Sequence, residues 1–221
     1  MLERAQPDAI IHDAMASVAE HLQRDDLYLQ EARQGRRVLR FWQGCAPAVV
    51  LGHSERANIV LHEQRCMELG IPILRRQSGG GAVLQAFGVI NYALTMPDTG
   101  ALDVQRLFRR GTDFMVSLLR RLGVDAYTCG VSDVAVGDRK ISGSAQARRR
   151  GALLLHGTLL LAMDYDLVEA VLRHPPREPA YRAGRGHRAF MVTLQELGMA
   201  CSMADVVRAG CEAAQDQALI T

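Results

Sequence analysis

Residues 75–84 read Arg75-Arg76-Gln77-Ser78-Gly79-Gly80-Gly81-Ala82-Val83-Leu84. A run of three glycines loses more backbone entropy on folding than any other triplet. A chain tolerates that cost where its backbone must come close to something or take up φ > 0. Two guanidinium groups lie beside the triplet, and backbone N–H groups next to guanidinium form an anion cradle. A plain Gly-rich turn between two strands would carry the same letters. The rest of the chain has to separate the two readings.

The flanks of the triplet are apolar and short. Ile71 to Leu74 reads as a strand running into Arg75, and Val89 to Met96 as a strand closed by Pro97. Upstream, Ile10, Ile11, Met15, Val18, Ala19 and Leu22 sit at roughly helical spacing, which predicts a helix over 9–24. Residues 26–33 read as a short strand, and Val38 to Trp42 and Ala48 to Leu51 as two more. A helix is expected over 58–69 with Gly70 as its stop, and a long amphipathic one over 103–122 ending at Gly123. A short strand is expected at 125–128. Val134-Ala135-Val136, a turn at Gly137-Asp138, and Lys140-Ile141 predict a hairpin. Leu153 to Leu161 is an apolar run interrupted by Gly157, read as a buried strand with a bulge or a close backbone approach. Helices are expected at 166–174 and 203–216, with a polar, basic loop over 177–190. Strand and helix signals mix without strict alternation and without a linker. This predicts one α/β or α+β domain on a mixed sheet over the 221 residues.

Composition narrows the function classes. A formal charge of +2 argues against a nucleic-acid partner. Arginine greatly outnumbers lysine and clusters in doublets, which suits a carboxylate or phosphate ligand, although most such side chains are solvated surface. The five cysteines are odd in number and lack a C-x-x-C pair, so reduced thiols in a cytoplasmic protein are expected. No apolar run is long enough to span a membrane, and the N-terminal residues lack the apolar stretch of a signal peptide.

A second unusual stretch is Lys140-Ile141-Ser142-Gly143-Ser144-Ala145-Gln146, one cation followed by small and hydroxyl residues. Together with Ala48-Val49-Val50-Leu51-Gly52, the Arg75 to Val83 block, Asn91-Tyr92, Asp133, Gly137-Asp138-Arg139 and His156-Gly157-Thr158-Leu159-Leu160, it resembles the lipoate–protein ligase catalytic domain of the biotin/lipoate protein ligase superfamily. The resemblance covers about residues 10–200. It implies a mixed, mostly antiparallel sheet flanked by helices, akin to class II synthetase catalytic domains. It also implies the chemistry: lipoate and ATP give lipoyl-adenylate and pyrophosphate, and the acyl group then passes to a lysine of a lipoyl-carrier domain.

The resemblance assigns roles residue by residue. Lys140 matches the lysine that bridges the acyl carbonyl and the α-phosphate, an electrostatic task that needs no covalent intermediate. Arg76, Ser78, Gly80, Gly81, Ala82, Val83 and Leu84 match nucleotide and adenylate contacts. Arg75, on the opposite side of an extended chain, is left to support the wall. Ser142, Gly143, Ser144 and Ala145 are small enough for backbone to approach the adenylate. Asp133 would orient Lys140 or help hold Mg²⁺, which takes oxygen ligands plus phosphate; a simple turn aspartate is the alternative. His53, His156, Gly157 and Thr158 are candidates for the acyl end, with a hydrogen-bonded core histidine as the other reading of His156. Tyr181, Arg182, Arg185 and His187 would close the site, meet an acidic carrier, or be a solvated loop.

Two departures leave alternatives open. Relatives often show Asn-Asp where this chain has Ser132-Asp133. The accessory C-terminal domain of long ligases is expected to be absent, which suits a short ligase, a ligase with a separate small accessory subunit, or an acyltransferase. An octanoyltransferase would take octanoyl from acyl carrier protein through a cysteine thioester, and Cys129 is the cysteine nearest the motifs. A non-catalytic carrier-binding module is the remaining reading, and it has no use for a phosphate cradle.

Overall fold

The computed structural model describes residues 8–220, so the expectation for the extreme N-terminus lies outside the described residues. The chain order is β1 (Ala9–His12), α1 (Val18–Arg33), β2 (Val38–Trp42), β3 (Ala48–Leu51), α2 (Ala57–Val60), α3 (Glu63–Glu68), β4 (Ile73–Arg75), β5 (Val83–Gln85) and β6 (Val89–Pro97). It continues with α4 (Val104–Arg121), β7 (Tyr127–Cys129), β8 (Asp133–Val136), β9 (Arg139–Arg149), β10 (Ala152–Leu160), α5 (Tyr165–Val171), a 3₁₀ turn at Ala180–Arg182, α6 (His187–Phe190) and α7 (Met203–Asp216). Seven strands form one sheet in the order β1-β2-β6-β10-β9-β8-β7, and β4-β3-β5 form a smaller one. Only β1–β2 and β3–β4 pair in parallel, so the architecture is the expected mixed, mostly antiparallel one.

Both faces of the large sheet are covered. Leu153, Leu155 and Leu159 of β10 pack with Phe114, Met115, Leu118 and Leu119 of α4 and with Val206 and Ala213 of α7. Leu154 points the other way, against Leu29 and Ala32 of α1. That two-sided burial is why β10 reads as a continuous apolar run instead of an alternating one. Val49 and Leu51 of the small sheet build a second core with Val60, Cys66, Val168 and Val171.

Several sequence expectations change. The helix predicted over 9–24 is two elements: Ala9–His12 is a strand on the edge of β2, and the helix starts at Val18 behind a Ser17–Glu20 capping box. It runs to Arg33, which absorbs the strand expected at 26–33. Its buried positions are Val18, His21, Asp25, Leu29 and Ala32. Two of these five are polar, and they blur the apolar period that would have marked the helix. The helix expected over 58–69 is broken at Leu61, which forms a bridge to Leu172. β10 pairs without interruption from Leu153 to Leu159; the register shift lies instead in the β8–β9 hairpin, at Val134/Ala135.

Candidate active site

The carboxyl end of β4, the glycine loop, and the middles of β9 and β10 surround a cavity of about 320 Å³. Trp42, Val50, Val60, Leu160 and Phe190 supply apolar wall. Gly80, Gly81, Ala82, Val83, Leu84, Asp133, Lys140, Ser142, Gly143, Ser144, Ala145, His156, Gly157 and Thr158 all line it, so residues from three distant blocks of sequence meet in one place.

Arg75 holds the neighbouring 52–55 segment and Arg76 holds the glycine loop itself. Arg75 Nη1 donates to the carbonyls of Gly52, His53 and Glu55 at 2.7, 3.0 and 2.8 Å. Arg76 lines the cavity, but its Nη2 donates to the Gly79 and Gly81 carbonyls at 2.7 and 3.0 Å and its Nε to Ser78 Oγ at 3.0 Å. Burial pushes the Arg76 guanidinium down to about 10. Arg75 thus supports the wall as expected, and Arg76 braces the loop while facing the cavity. A trans peptide sets each carbonyl opposite the next N–H. With the Gly79 and Gly81 carbonyls turned to Arg76, the N–H groups of Gly80 and Ala82 point away from it. Gly80 needs φ +94°, and a side chain at Gly52 would meet the Gly80 carbonyl oxygen at 1.9 Å. Gly52 is thus more than a strand stop, because it lets β3 touch the loop.

Two predicted residues fall outside the wall. His53 is exposed and does not line the cavity. Its N–H bonds the Ser78 carbonyl at 2.8 Å, which ties its backbone to the loop and leaves the side chain outside. Ser78 is buried behind the loop, where its Oγ lies 2.6 Å from His156 Nε2.

The hairpin places the cation. Lys140 Nζ lies 2.8 Å from Asp133 Oδ1, and Tyr181 OH donates to Asp133 Oδ2 at 2.9 Å. Burial and the Asp133 carboxylate push the Tyr181 hydroxyl upward, which keeps it a donor. A side chain at Gly143 would meet Lys140 Nζ at 2.6 Å, so the glycine gives the lysine its lane. A side chain at Gly157 would strike the Gly143 carbonyl and the Tyr92 ring at 2.6 and 2.7 Å, so this glycine serves the close packing of β9, β10 and β6. Of the 26 Lys and Arg side chains, Lys140 alone is a lysine. A chain that otherwise uses arginine keeps the compact, mobile ammonium at this one position. The replacement of Asn by Ser at 132 matters little to the scaffold. Ser132 contributes its backbone carbonyl, which accepts from Ser144 N and Oγ at 2.8 and 3.0 Å.

Asp133 is placed to orient Lys140, one of the two roles expected of it. Both carboxylate oxygens are engaged, and among the described residues no group of three or more His, Cys, Asp or Glu is placed to hold a metal.

Arg182, expected to close the site, meet an acidic carrier or lie in a solvated loop, is 5% exposed and lines the cavity, and its Nη2 has no hydrogen-bond partner. Two other functional-looking residues were not singled out from the sequence. Asp25 and Arg40 form a buried pair behind His156, with Arg40 also 2.7 Å from Asp13. The signal for the pair was available: a charge in the centre of Val38-Leu39-Arg40-Phe41-Trp42 demands a buried partner.

Comparison with known proteins gives the family. The chain is 34% identical over 127 residues to lipoate-protein ligase LplJ of Bacillus subtilis, an alignment taking in 58% of this chain and 38% of LplJ. The chain thus spans well under two thirds of that relative. It is 29% identical over 187 residues to octanoyltransferase LipM of Carboxydothermus hydrogenoformans, with 75% of this chain and 69% of LipM covered. The fold superposes on the crystal structure of lipoate-protein ligase A bound with ATP with a TM-score of 0.81 at 25% identity, covering 97% of this chain and 85% of that one. The family model of the lipoyl protein ligase A/B catalytic domain matches residues 17–215, and the chain belongs to that family.

Proposed function

We propose that the chain is the catalytic unit of an ATP-dependent lipoate–protein ligase. The observation that carries this reading is the position of Lys140: the only lysine of the chain, held by Asp133, on a cavity wall that the glycine loop also forms. A carboxylate oxygen of lipoate attacks the α-phosphate of ATP, the bond to the β-phosphate oxygen breaks, and pyrophosphate leaves. In the second half, the uncharged ε-amine of a carrier-domain lysine attacks the acyl carbonyl and AMP leaves. Both steps build negative charge on oxygens, and a preorganised cation beside those oxygens is the most effective help a protein can give. Lys140 supplies it with a flexible stem that Gly143 leaves room for. Arg182, with Nη2 unpaired, is a second cationic donor for phosphate, beside Arg76, whose Nη2 and Nε are taken up by the loop. The apolar wall from Trp42 to Leu160 suits an acyl tail. The nucleotide would bring any magnesium with its phosphates, and the carrier domain is the macromolecular partner.

The relationship to LipM supports a second reading, octanoyl transfer through a cysteine thioester. No cysteine lines the cavity among the described residues. Cys129 pairs with Asp133 across β7–β8, and burial and then Asp133 push its thiol upward, the wrong direction for a nucleophile. The deciding assay offers a lipoyl-carrier domain to the purified protein with lipoate and ATP/Mg²⁺, or with octanoyl-acyl carrier protein and no ATP. Acylation is expected in the first mixture. Acylation in the second mixture alone would refute the ligase reading.

A further inference from the structure

Behind the cavity lies a smaller one of about 210 Å³, and Leu22, Arg76 and His156 form the partition between the two. On the far side of the partition stands Asp25, 3% exposed, with its Oδ2 buried and without a hydrogen-bond partner. That oxygen faces His156 Nδ1 at 3.8 Å. The other ring nitrogen, Nε2, is 2.6 Å from Ser78 Oγ. A hydroxyl, an imidazole and a carboxylate in this order look like a hydrolytic triad. Ser78, however, is buried and is not part of the cavity wall, so its Oγ has no substrate to attack.

The proton positions follow from the donors. Arg76 Nε can only donate, so Ser78 Oγ accepts from it at 3.0 Å. The Ser78 hydrogen is then free to be donated to His156 Nε2. The unpartnered Asp25 Oδ2 facing Nδ1 favours this arrangement, with the ring hydrogen on Nδ1 turned toward the carboxylate. The charges around the ring are Arg76 from the glycine loop, Arg40 from β2 and Asp25 from α1. Burial, then Arg76 and Arg40, lower the His156 imidazole to about 3, which keeps it neutral. Burial raises the Asp25 carboxyl to about 6 against the opposing pull of Arg40.

We propose that His156 is a positioning residue for the glycine loop: braced from behind by Asp25, it accepts the Ser78 hydrogen bond and so orients Ser78, Arg76 and the carbonyls that Arg76 gathers. Nε2 is taken up by Ser78 and Nδ1 faces the Asp25 carboxylate at 3.8 Å, so the task this proposal gives the ring is to position the loop. The inference deepens the ligase reading and rests on it for its kinetic consequence, but not for its geometry.

The experiment has two arms. In the first, nitrogen-edited NMR on the full chain reads the His156 tautomer between about pH 6 and 8, and amide exchange follows Gly79 to Ala82. The Nδ1–H form is expected, with Ser78→Ala and His156→Ala speeding exchange at the same loop amides. An Nε2–H tautomer, or a loop unmoved by Ser78→Ala, overturns the proposal. In the second arm, pyrophosphate release from lipoate and ATP is measured for Ser78→Ala, His156→Ala, their double variant and His156→Gln. Each single alanine is expected to raise KM for ATP about tenfold with kcat changed less, as for the loss of one charge-assisted contact chain. The double variant should be no worse than the worse single one, and His156→Gln, which keeps an acceptor near Nε2, should recover most of the loss. Additive losses, or a glutamine as poor as alanine, overturn the proposal. Wild-type protein that releases no pyrophosphate defeats the ligase reading alone, and the NMR arm then decides this one.

Discussion

Two acid–cation pairs stand on opposite sides of the same cavity wall. Lys140 and Asp133 are 2.8 Å apart on neighbouring strands, with side chains 28% and 10% exposed. Arg40 and Asp25 join β2 to α1 with side chains 1% and 4% exposed. By Coulomb energy alone the buried pair is the stronger. Its charges, however, are taken up inside the protein: by each other, Asp13, His21 and, through Asp25, the His156 ring. The lysine is weaker in place and available to a ligand. Access, more than strength, separates a charge that acts from a charge that holds, and Lys140 and Arg40 should therefore fail in different ways.

The largest effect expected is on stability. Arg40→Ala leaves Asp25 buried beside no cation and should cost about 3–5 kcal/mol, lowering Tm by about 10 °C. Replacing both partners, Arg40→Met with Asp25→Leu, should cost less than the single change, because no buried charge is stranded. A single variant that melts like wild type would break the comparison. Lys140→Ala should show the reverse pattern. Carrier acylation should fall by about 10²–10³-fold, while stability changes by no more than about 1 kcal/mol, as for a partly exposed pair. If Lys140→Ala retained full acylation in the carrier-domain assay, the assignment of the site would be lost.

Acid titration sharpens the contrast with a smaller effect. Burial lowers His21 to about 4 and His156 to about 3, so below the ordinary histidine value the unfolded chain binds two protons that the folded protein refuses. Stability therefore falls as pH falls from about 6.5. Asp25 opposes this: its carboxyl, raised to about 6, takes its proton in the folded state before the unfolded chain does. Two against one leaves about one net proton between about pH 6 and 4, or ~1.4 kcal/mol lost per pH unit. Asp25→Asn removes the opposing group and should steepen the loss in urea titrations across that window. A slope unchanged by Asp25→Asn would show that the carboxyl does not titrate there.

Much of this was legible before any coordinates. The hairpin carrying Lys140, the long helix α4 and the glycine block all announce themselves locally, through turn residues, a 3.6 period and a triplet with few uses. What stayed hidden depends on pairing over long separations. Ser78 and His156 are 78 positions apart in sequence and meet only because β10 lies beside β6 and the glycine loop folds back on β3. The polar inner face of α1, with His21 and Asp25, disguised a helix as a helix-and-strand pair. The brace made by Arg76 was missed for a related reason: its acceptors are backbone carbonyls, which carry no letter in the sequence.

The register shift at Val134/Ala135 has a consequence for what lengths this hairpin tolerates. Asp133 lies opposite Gly143 and Ala135 opposite Lys140, so Ile141 is the extra residue, and its side chain is in the core. Strand side chains alternate with a period of two, so a change of one residue between Asp133 and Lys140 exchanges the two faces. The ammonium would then be sent toward the place Ile141 occupies. The hairpin thus obeys a rule of parity: even changes in length preserve the face Lys140 occupies, and odd ones bury it.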